Sequence, residues 1–400
     1  LGQYRNVVVI GFGKASVSMA EGLSARLGDR IRRGVVIAKH IDPAQLHRLP
    51  IQIGVLQGDH PVPGANSLNS TNKALEMVAG LTGQDLVFCL VSGGGSALFT
   101  NPLEGIRLDE LQELSRLLLA SGAEIGEFNI LRKHLDQVKG GGLARMAAPA
   151  EMITLIVSDV IGSPLDVIAS GPTAADSSTY AQGHAILEKY DLLDKTPGSI
   201  INILRDGAAG RIPETLKIGD PRLERVHNLI VADNYLAACA ALEKARETGW
   251  NSMLLTTHLH GEAHQAGMML GSVLRQVAAS GEPISRPACI VVGGETTVTL
   301  RGQGLGGRNQ ELALGAALDL AGLERVALVT LATDGEDGPT NAAGAVVTGE
   351  TFSRGEALGL HPAAFLARND CYAYFEALGD LLITGPSGTN VNDLAFLFAW

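Results

Sequence analysis

Short runs of Val, Ile and Leu alternate with longer stretches whose apolar positions recur at helical spacing along nearly the whole chain. That is the pattern of strands joined by crossover helices, and it predicts an α/β fold. The spacing predicts strands at Val7 to Ile10, Val35 to Ala38, Leu86 to Val91, Ile153 to Val157, Leu229 to Ala232, Cys289 to Val292, Val326 to Leu331 and Leu381 to Thr384. Several are apolar without alternation, as strands covered on both faces must be. Helices are predicted at Ala15 to Leu27, Ser70 to Gly80, Leu108 to Ser121, Tyr235 to Thr248, Glu262 to Ala279 and Asn309 to Ala321. The polar stretch Asp206 to Arg225, with Pro213 and Pro221, is the least packable segment and predicts a boundary between domains at residues 1–226 and 227–400. No period of ~20–50 residues repeats, so a solenoid is not supported.

The chain has 400 residues, more than the ~250–300 that one core usually serves, which agrees with two domains. Hydrophobic residues make up 46% and charged residues 18%, which excludes an intrinsically disordered chain. The formal net charge of −11 works against a polyanionic partner, so nucleic acid is not expected. No apolar run approaches the ~20 residues of a membrane helix, and no signal-peptide pattern opens the chain, so no membrane partner is expected. Cys89, Cys239, Cys289 and Cys371 lie far apart with no C-x-x-C pair, which points to a reducing compartment and a cytoplasmic location. The first residue is not Met, and a segment before it is expected to be missing.

The 49 glycines exceed the usual ~7%, so several loops must bring backbone close to something. Three of them lead into predicted helices, the first two directly from a strand. Gly11-Phe12-Gly13-Lys14-Ala15-Ser16 pairs close backbone approach with a helix N-terminus, which suits a phosphate. It is shorter than a P-loop, and Ser16 stands where a dinucleotide fingerprint needs its third Gly. Lys39 and His40 follow the second predicted strand, where a dinucleotide site wants an acid for the ribose, and this argues against NAD. The alternative is a tight turn with Lys14 in water. Ser92-Gly93-Gly94-Gly95-Ser96 presents successive N–H groups with no side chains in the way, a nest for phosphate oxygens or else a flexible linker. Gly302 to Glu311 leads into a helix with Arg308 at the end of four glycines, where its paired donors can hold a carboxylate or a phosphoryl group; a surface salt bridge is the other reading.

Carboxylates cluster at the same strand ends. Asp159 follows one predicted strand, while Asp334, Glu336 and Asp337 crowd the loop after another, which suits Mg²⁺ but also suits an ordinary turn. Asp59 to Pro63 and Gly385 to Asp393, including Asn390, are polar turns that capping alone could explain. His258, His260 and His264 suggest zinc, yet Glu262 is misplaced for H-E-x-x-H, and three exposed histidines at a helix start are the favoured reading. No G-x-S-x-G elbow or Ser-His-Asp set appears. Open α/β sheets bind ligands outside the carboxyl ends of their strands, so the shared location of these loops is stronger evidence than any one of them. A Lys, an Arg, anion-holding loops and clustered acids are the parts of a phosphoryl-transfer site.

At full length the motifs carry a family resemblance. They are Val7 to Ala15, Gly58 to Pro63, Val91 to Ala97, Lys139-Gly140-Gly141-Gly142-Leu143-Ala144, Ser158-Asp159-Val160 and Ser170-Gly171-Pro172-Thr173, followed by Gly293-Gly294-Glu295-Thr296, Gly306 to Glu311, Thr333-Asp334-Gly335 and Gly388 to Asp393. In this order they are similar to the class II glycerate 2-kinases, whose C-terminal part is the MOFRL domain.

The resemblance implies two α/β domains, an N-terminal Rossmann-like one with a mostly parallel sheet and a C-terminal one containing a MOFRL region at about 287–395, with the active site in the cleft between them. It implies phosphorylation of D-glycerate at the 2-hydroxyl by ATP with Mg²⁺. By motif match, Lys14 and Arg308 are the catalytic residues. Asp159 joins them as base or, with Asp334, as metal ligand. Gly11, Gly13, Ser92, Gly93, Gly94, Gly95 and Ser96 would hold nucleotide phosphates. Asp59, Asn309, Glu311, Asn390 and Asp393 would contact or support the substrate. Two rivals remain, a hydroxypyruvate reductase and a non-catalytic binder of a small phosphorylated acid. A homodimer is left open.

Overall fold

The computed structural model describes residues 2–41 and 43–400, all with side chains except residues 44 and 45. Twelve strands are found among them: β1 (Asn6–Phe12), β2 (Ile31–Ala38), β3 (Ile53–Gln57), β4 (Asp85–Val91), β5 (Glu151–Val157), β6 (Val226–Ala232), β7 (Asn251–Leu259), β8 (Ala288–Gly294), β9 (Val326–Ala332), β10 (Gly344–Thr348), β11 (Leu381–Leu382) and β12 (Asp393–Ala399). Two compact units result, Leu1–Ser158 with Ser163–Val231 and Asp159–Gly162 with Ala232–Trp400.

The first unit holds a six-stranded sheet in the order β3-β2-β1-β4-β5-β6. Pairings of β1 with β2 and β4, of β2 with β3 and of β4 with β5 are all parallel. This is the strand order of a dinucleotide-binding fold, whose chain reverses direction across the sheet between β1 and β4. Every residue of β4 is buried, because β4 is central and covered on both faces. Val7, Val9, Val36, Leu86 and Leu90 form one core against the helix Ser16–Leu27. A second core, built on Leu114, Leu118, Phe128, Leu131, Leu187 and Leu204, belongs to helices that follow β4 and β5.

The second unit departs from a purely parallel α/β pattern. Its sheet runs β11-β10-β9-β12-β8-β7, and only β7 and β8 pair in parallel among the recorded pairings. The last strand, β12, enters between β8 and β9 antiparallel to both, and β10 returns antiparallel to β9 after a short loop. The eleven residues 333–343 between β9 and β10 are too few for a parallel crossover, so β10 pairs antiparallel, while the antiparallel pairings at the centre of the sheet come from the insertion of β12. The strand predicted at Leu381 to Thr384 shrinks to the two residues of β11 at the sheet edge. The helices Ala263–Ser280 and Arg308–Leu320 pack on one another and on this sheet through Leu270, Leu274, Ala313, Ala316 and Ala317.

Candidate active site

In the first unit the turns after β1 and β4 are stitched into one structure. Gly13 stands at φ +124°, where an L side chain is strained, and a Cβ there would also collide with the Ser92 hydroxyl and carbonyl. Only glycine lets these chains meet. The Lys14 amide donates to the Gly93 carbonyl at 2.8 Å and the Ala15 amide to Ser92 Oγ at 3.0 Å. The rings of Phe12 and Phe99 stack at 4.2 Å and tie the two turns together from below. The Ser92 to Ser96 segment is therefore an ordered turn and not a linker. Gly94 takes φ +79° with its α-carbon facing the His60 ring and the Lys14 stem. Among the described residues the N–H groups of Gly93 and Gly94 donate to no protein acceptor, so they remain available to an anion.

The same turn is braced by residues that sequence reasoning did not single out. Lys139 is buried, and its ammonium donates to the carbonyls of Ser96 and Phe99 at 2.8 Å each. Burial pushes its pKa down, and the charge of Asp136 offsets part of that. Ser96 Oγ meets Ser170 Oγ at 2.8 Å, and Ser170 donates to Asn129 at 3.1 Å. Lys133, 4% exposed, lies 2.7 Å from fully buried Asp176 and 3.4 Å from Asp166. Burial resists ionisation of Asp176, but the hydrogen bonds from Lys133 and Ser178 prevail and hold its pKa down near about 2. His60 has an unpartnered Nδ1, and burial followed by the charges of Lys14 and Lys39 lowers its pKa. Lys139 and Ser170 stand inside motifs quoted above, so the signal was present; Arg132 and Lys133 lie in an ordinary amphipathic helix (Ile125–His134) with no signal at all.

Asp59, placed at the start of the helix Ala65–Val78, uses its carboxylate on the Ser67 amide at 3.2 Å and the Asn66 side chain at 2.9 Å. Its visible work is to fix that helix entry.

In the second unit Arg308 opens the helix Arg308–Leu320, and its guanidinium is already committed. It donates to Asp393 at 2.5 and 3.2 Å and to Glu295 at 2.7 Å. Burial opposes its charge, yet the bonds from Asp393 outweigh burial and its pKa is raised. Asn309 and Gln310 give their backbone amides to Asp337 at 3.0 and 2.9 Å, which satisfies donors the helix end would otherwise leave orphaned. Glu311 does not join Arg308; its carboxylate accepts from Asn369 at 2.7 Å, and Asn369 in turn holds the amides of Arg301 and Gly302. Asn390 accepts from the Asn392 amide at 2.9 Å as part of a turn. Glu295, given no role from the sequence, and Asp337, one of the loop carboxylates expected to suit Mg²⁺ or a turn, complete the surroundings of Arg308.

Burial raises the pKa of Glu295, and the charges of Asp393 and Asp159 add to it while Arg308 opposes them. Asp393 is likewise raised by burial, with Arg308 opposing and Asp334 adding. Asp159, Glu295, Asp334 and Asp393 thus feel one another around a single guanidinium. A surplus of carboxylate oxygens is the donor chemistry Mg²⁺ takes, and Mg²⁺ needs only one or two of them besides water and phosphate oxygens. Asp159 and Asp334, whose charges are felt at Glu295 and Asp393, supply such oxygens.

The three histidines part company. His258 and His260 are exposed as expected, whereas His264 is half-buried, 3.5 Å from Glu262, and forms with Glu262 and Glu311 a group whose ligand atoms all lie within 4.8 Å. The expectation of three exposed histidines fails for His264 because the helix Ala263–Ser280 turns it toward the helix that carries Glu311.

The family model described as "Domain of unknown function (DUF4147)" matches residues 1–205, and that of the MOFRL family matches residues 288–393. The chain is 42% identical over 394 residues to a D-glycerate 2-kinase of Thermotoga maritima, covering 97% of this chain and 89% of that protein. It is 41% identical over 389 residues to a glycerate 2-kinase of Pyrococcus horikoshii, covering 97% and 86%. A crystal structure of glycerate kinase from Thermotoga maritima superposes with a TM-score of 0.91 at 41% identity, covering 99% of this chain and 92% of that one. At this identity over nearly its whole length, and with this superposition of its fold, the chain belongs to the class II glycerate 2-kinase family.

Proposed function

We propose that this protein transfers the γ-phosphoryl group of ATP to the 2-hydroxyl of D-glycerate, giving 2-phosphoglycerate and ADP. The near full-length likeness to D-glycerate 2-kinases supports the reaction, and one observation carries its chemistry. Two undonated amides, at Gly93 and Gly94, lie beside Lys14 in a rigid turn. Preorganised N–H groups next to an ammonium suit a transferring phosphoryl group, whose loose transition state needs placement and charge neutralisation more than covalent help.

In this reading the oxygen of the 2-hydroxyl forms the new P–O bond, the bond from γ-phosphorus to the bridging oxygen breaks, and ADP leaves with that electron pair. Asp159 accepts the hydroxyl proton. Gly11, Gly13 and the Ser92 to Ser96 turn cradle phosphates, and Lys14 and Arg308 neutralise the moving group. Mg²⁺, held by Asp334, would supply charge neutralisation on the phosphate oxygens. Arg308 is gripped by Asp393 and Glu295, so those acids set its orientation and Asn309 fixes the helix end beneath it. The four cysteines are free thiols, which suits the cytoplasm. No described helix is long and apolar enough to cross a membrane.

Two relatives from Agrobacterium vitis, one of them at 39% identity, carry the name "Putative hydroxypyruvate reductase". Lys39 and His40 after β2 put two basic groups where an NAD ribose wants a carboxylate, which favours the kinase. A coupled assay with ATP, Mg²⁺ and D-glycerate, followed by identification of the phosphorylated product, tests the proposal. Lys14→Met is expected to lower kcat by roughly 1,000-fold while ATP still binds. Full activity in that variant would remove Lys14 from the mechanism, and nicotinamide turnover with hydroxypyruvate in place of ADP release would replace the kinase reading.

A further inference from the structure

Arg132 sits on the third turn of the helix Ile125–His134, and its guanidinium lies 4.1 Å over the Phe128 ring. It lines a pocket with Ser96, Thr100, Ser115, Phe128, Asp136 and Lys139, walled otherwise by leucines. The other interior cations of this unit are matched, Lys133 to Asp166 and Asp176, Lys139 to two carbonyls and Asp136. Arg132 is not. Among the described residues no carboxylate lies within 4.0 Å of it and no hydrogen bond is recorded from any of its five N–H donors. Burial brings its pKa down to about 10, opposed in part by the charge of Asp136. A desolvated cation without a counter-charge is costly to keep. Arg132 is half-buried, so an anion from outside the chain can reach its donors.

The pocket says which anion. Its water-sized free space of about 30 Å³ holds about two positions of roughly 10–15 Å³ each, which suits the two oxygens of one carboxylate. A planar two-oxygen anion also matches the fork of a guanidinium. Nearby Asp136 is neutralised by Lys139, so a single negative charge can enter without facing a second one. Ser96 belongs both to this pocket and to the anion-holding turn of Gly93 and Gly94, so a small acid held here lies next to that turn.

We propose that Arg132 anchors the carboxylate of the acceptor, making this pocket the site that distinguishes a 2-hydroxy acid from an uncharged alcohol. The inference rests on the glycerate kinase reading but fails separately from it. Calorimetric titration of D-glycerate, without nucleotide, into the wild-type protein, Arg132→Met and Arg132→Lys reads the anchor directly, and steady-state kinetics with D-glycerate and its uncharged amide reads its consequence. Arg132→Met keeps the side-chain volume in an apolar surround, and thermal melting confirms that it folds; Arg132→Lys keeps the charge and loses the fork. The expected result is a roughly 100-fold weaker D-glycerate affinity and higher KM for Arg132→Met, partial rescue by Arg132→Lys, an unchanged KM for ATP and lost preference for the acid over the amide. Wild-type affinity for D-glycerate in folded Arg132→Met overturns the anchor and leaves the kinase reading intact. A wild-type protein that binds D-glycerate through Arg132 but never releases ADP overturns the kinase reading and leaves the anchor. Failure of the wild-type protein to bind or phosphorylate D-glycerate overturns both.

Discussion

Asp337→Asn separates two opposing energies at the start of the helix that carries Arg308. Asp337 is 1% exposed, and one carboxylate oxygen accepts from the Asn309 amide while the other accepts from the Gln310 amide. Burial nevertheless raises its pKa from 3.8 to about 6, against the pull of those two bonds. A folded pKa above the unfolded one means that the native state binds more protons between those values. The contribution is therefore fully present below pH 3.8 and is lost as pH rises through about 6, a loss of about 3 kcal/mol for about 2.2 units at 1.36 kcal/mol each. Asparagine does not titrate and escapes this loss. It also cannot accept twice, because its NH₂ group would face the Gln310 amide and leave one buried donor unmet, at about 1–3 kcal/mol independent of pH. The variant should be close to wild type near pH 7.5 and less stable by about 2 kcal/mol more near pH 4.5. Urea unfolding of both proteins side by side at the two pH values measures the difference, and exchange of the Asn309 and Gln310 amides reports it at the helix end itself. A stability difference that does not change with pH would refute the assignment of a buried, proton-hungry carboxyl.

Gly13→Ala should destabilise by at least about 2 kcal/mol and disable catalysis, since it forces a positive φ and a clash with Ser92; a melting temperature equal to wild type would contradict the close approach of the two turns. Lys133→Met leaves fully buried Asp176 without its cation and should cost about 3–5 kcal/mol in urea titration, with a loss under about 1 kcal/mol counting against that ion pair. The lowered pKa of His60 means the unfolded chain takes up its proton first as pH falls below 6.5, so this residue withdraws stability across the window from 6.5 down to its folded pKa. His60→Gln should flatten stability in that window, and an unchanged slope would show that His60 titrates as freely in the native state as in the unfolded one.

What could be read from the sequence depended on how much of each element its own residues decide. The strands β1, β4 and β8 lie inside sheets, and continuous Val, Ile and Leu runs announced them. The strand β3 holds Gly54 and only five residues at a sheet edge, and β7 is half-exposed with Ser252, Thr256, Thr257 and His258 diluting its pattern. Neither was predicted. The run Asp393–Ala399 is apolar enough for a strand or a buried helix turn, and local pattern cannot choose between them. Its insertion between β8 and β9 is a tertiary decision, and it is what makes the second sheet mixed.

The site shows the same limit more sharply, because sequence reports residue type and not the count of partners. Glycines beside Lys14 and Arg308 drew attention to both, and the structure brings the Ser92 to Ser96 turn against the Lys14 turn, a contact that no local motif announces. Yet Arg308, the more conspicuous arginine, has its donors taken by Asp393 and Glu295. Arg132, in a helix that looks like any other, has none taken by a carboxylate. A guanidinium already satisfied by two acids gains little from a new anion unless one of them lets go, whereas a desolvated one with open donors gains the full attraction of the first anion that reaches it. The arginine better able to select the acid is therefore the one the motifs did not mark, and only the packing of Phe128, the leucines and Lys139 around it makes that difference.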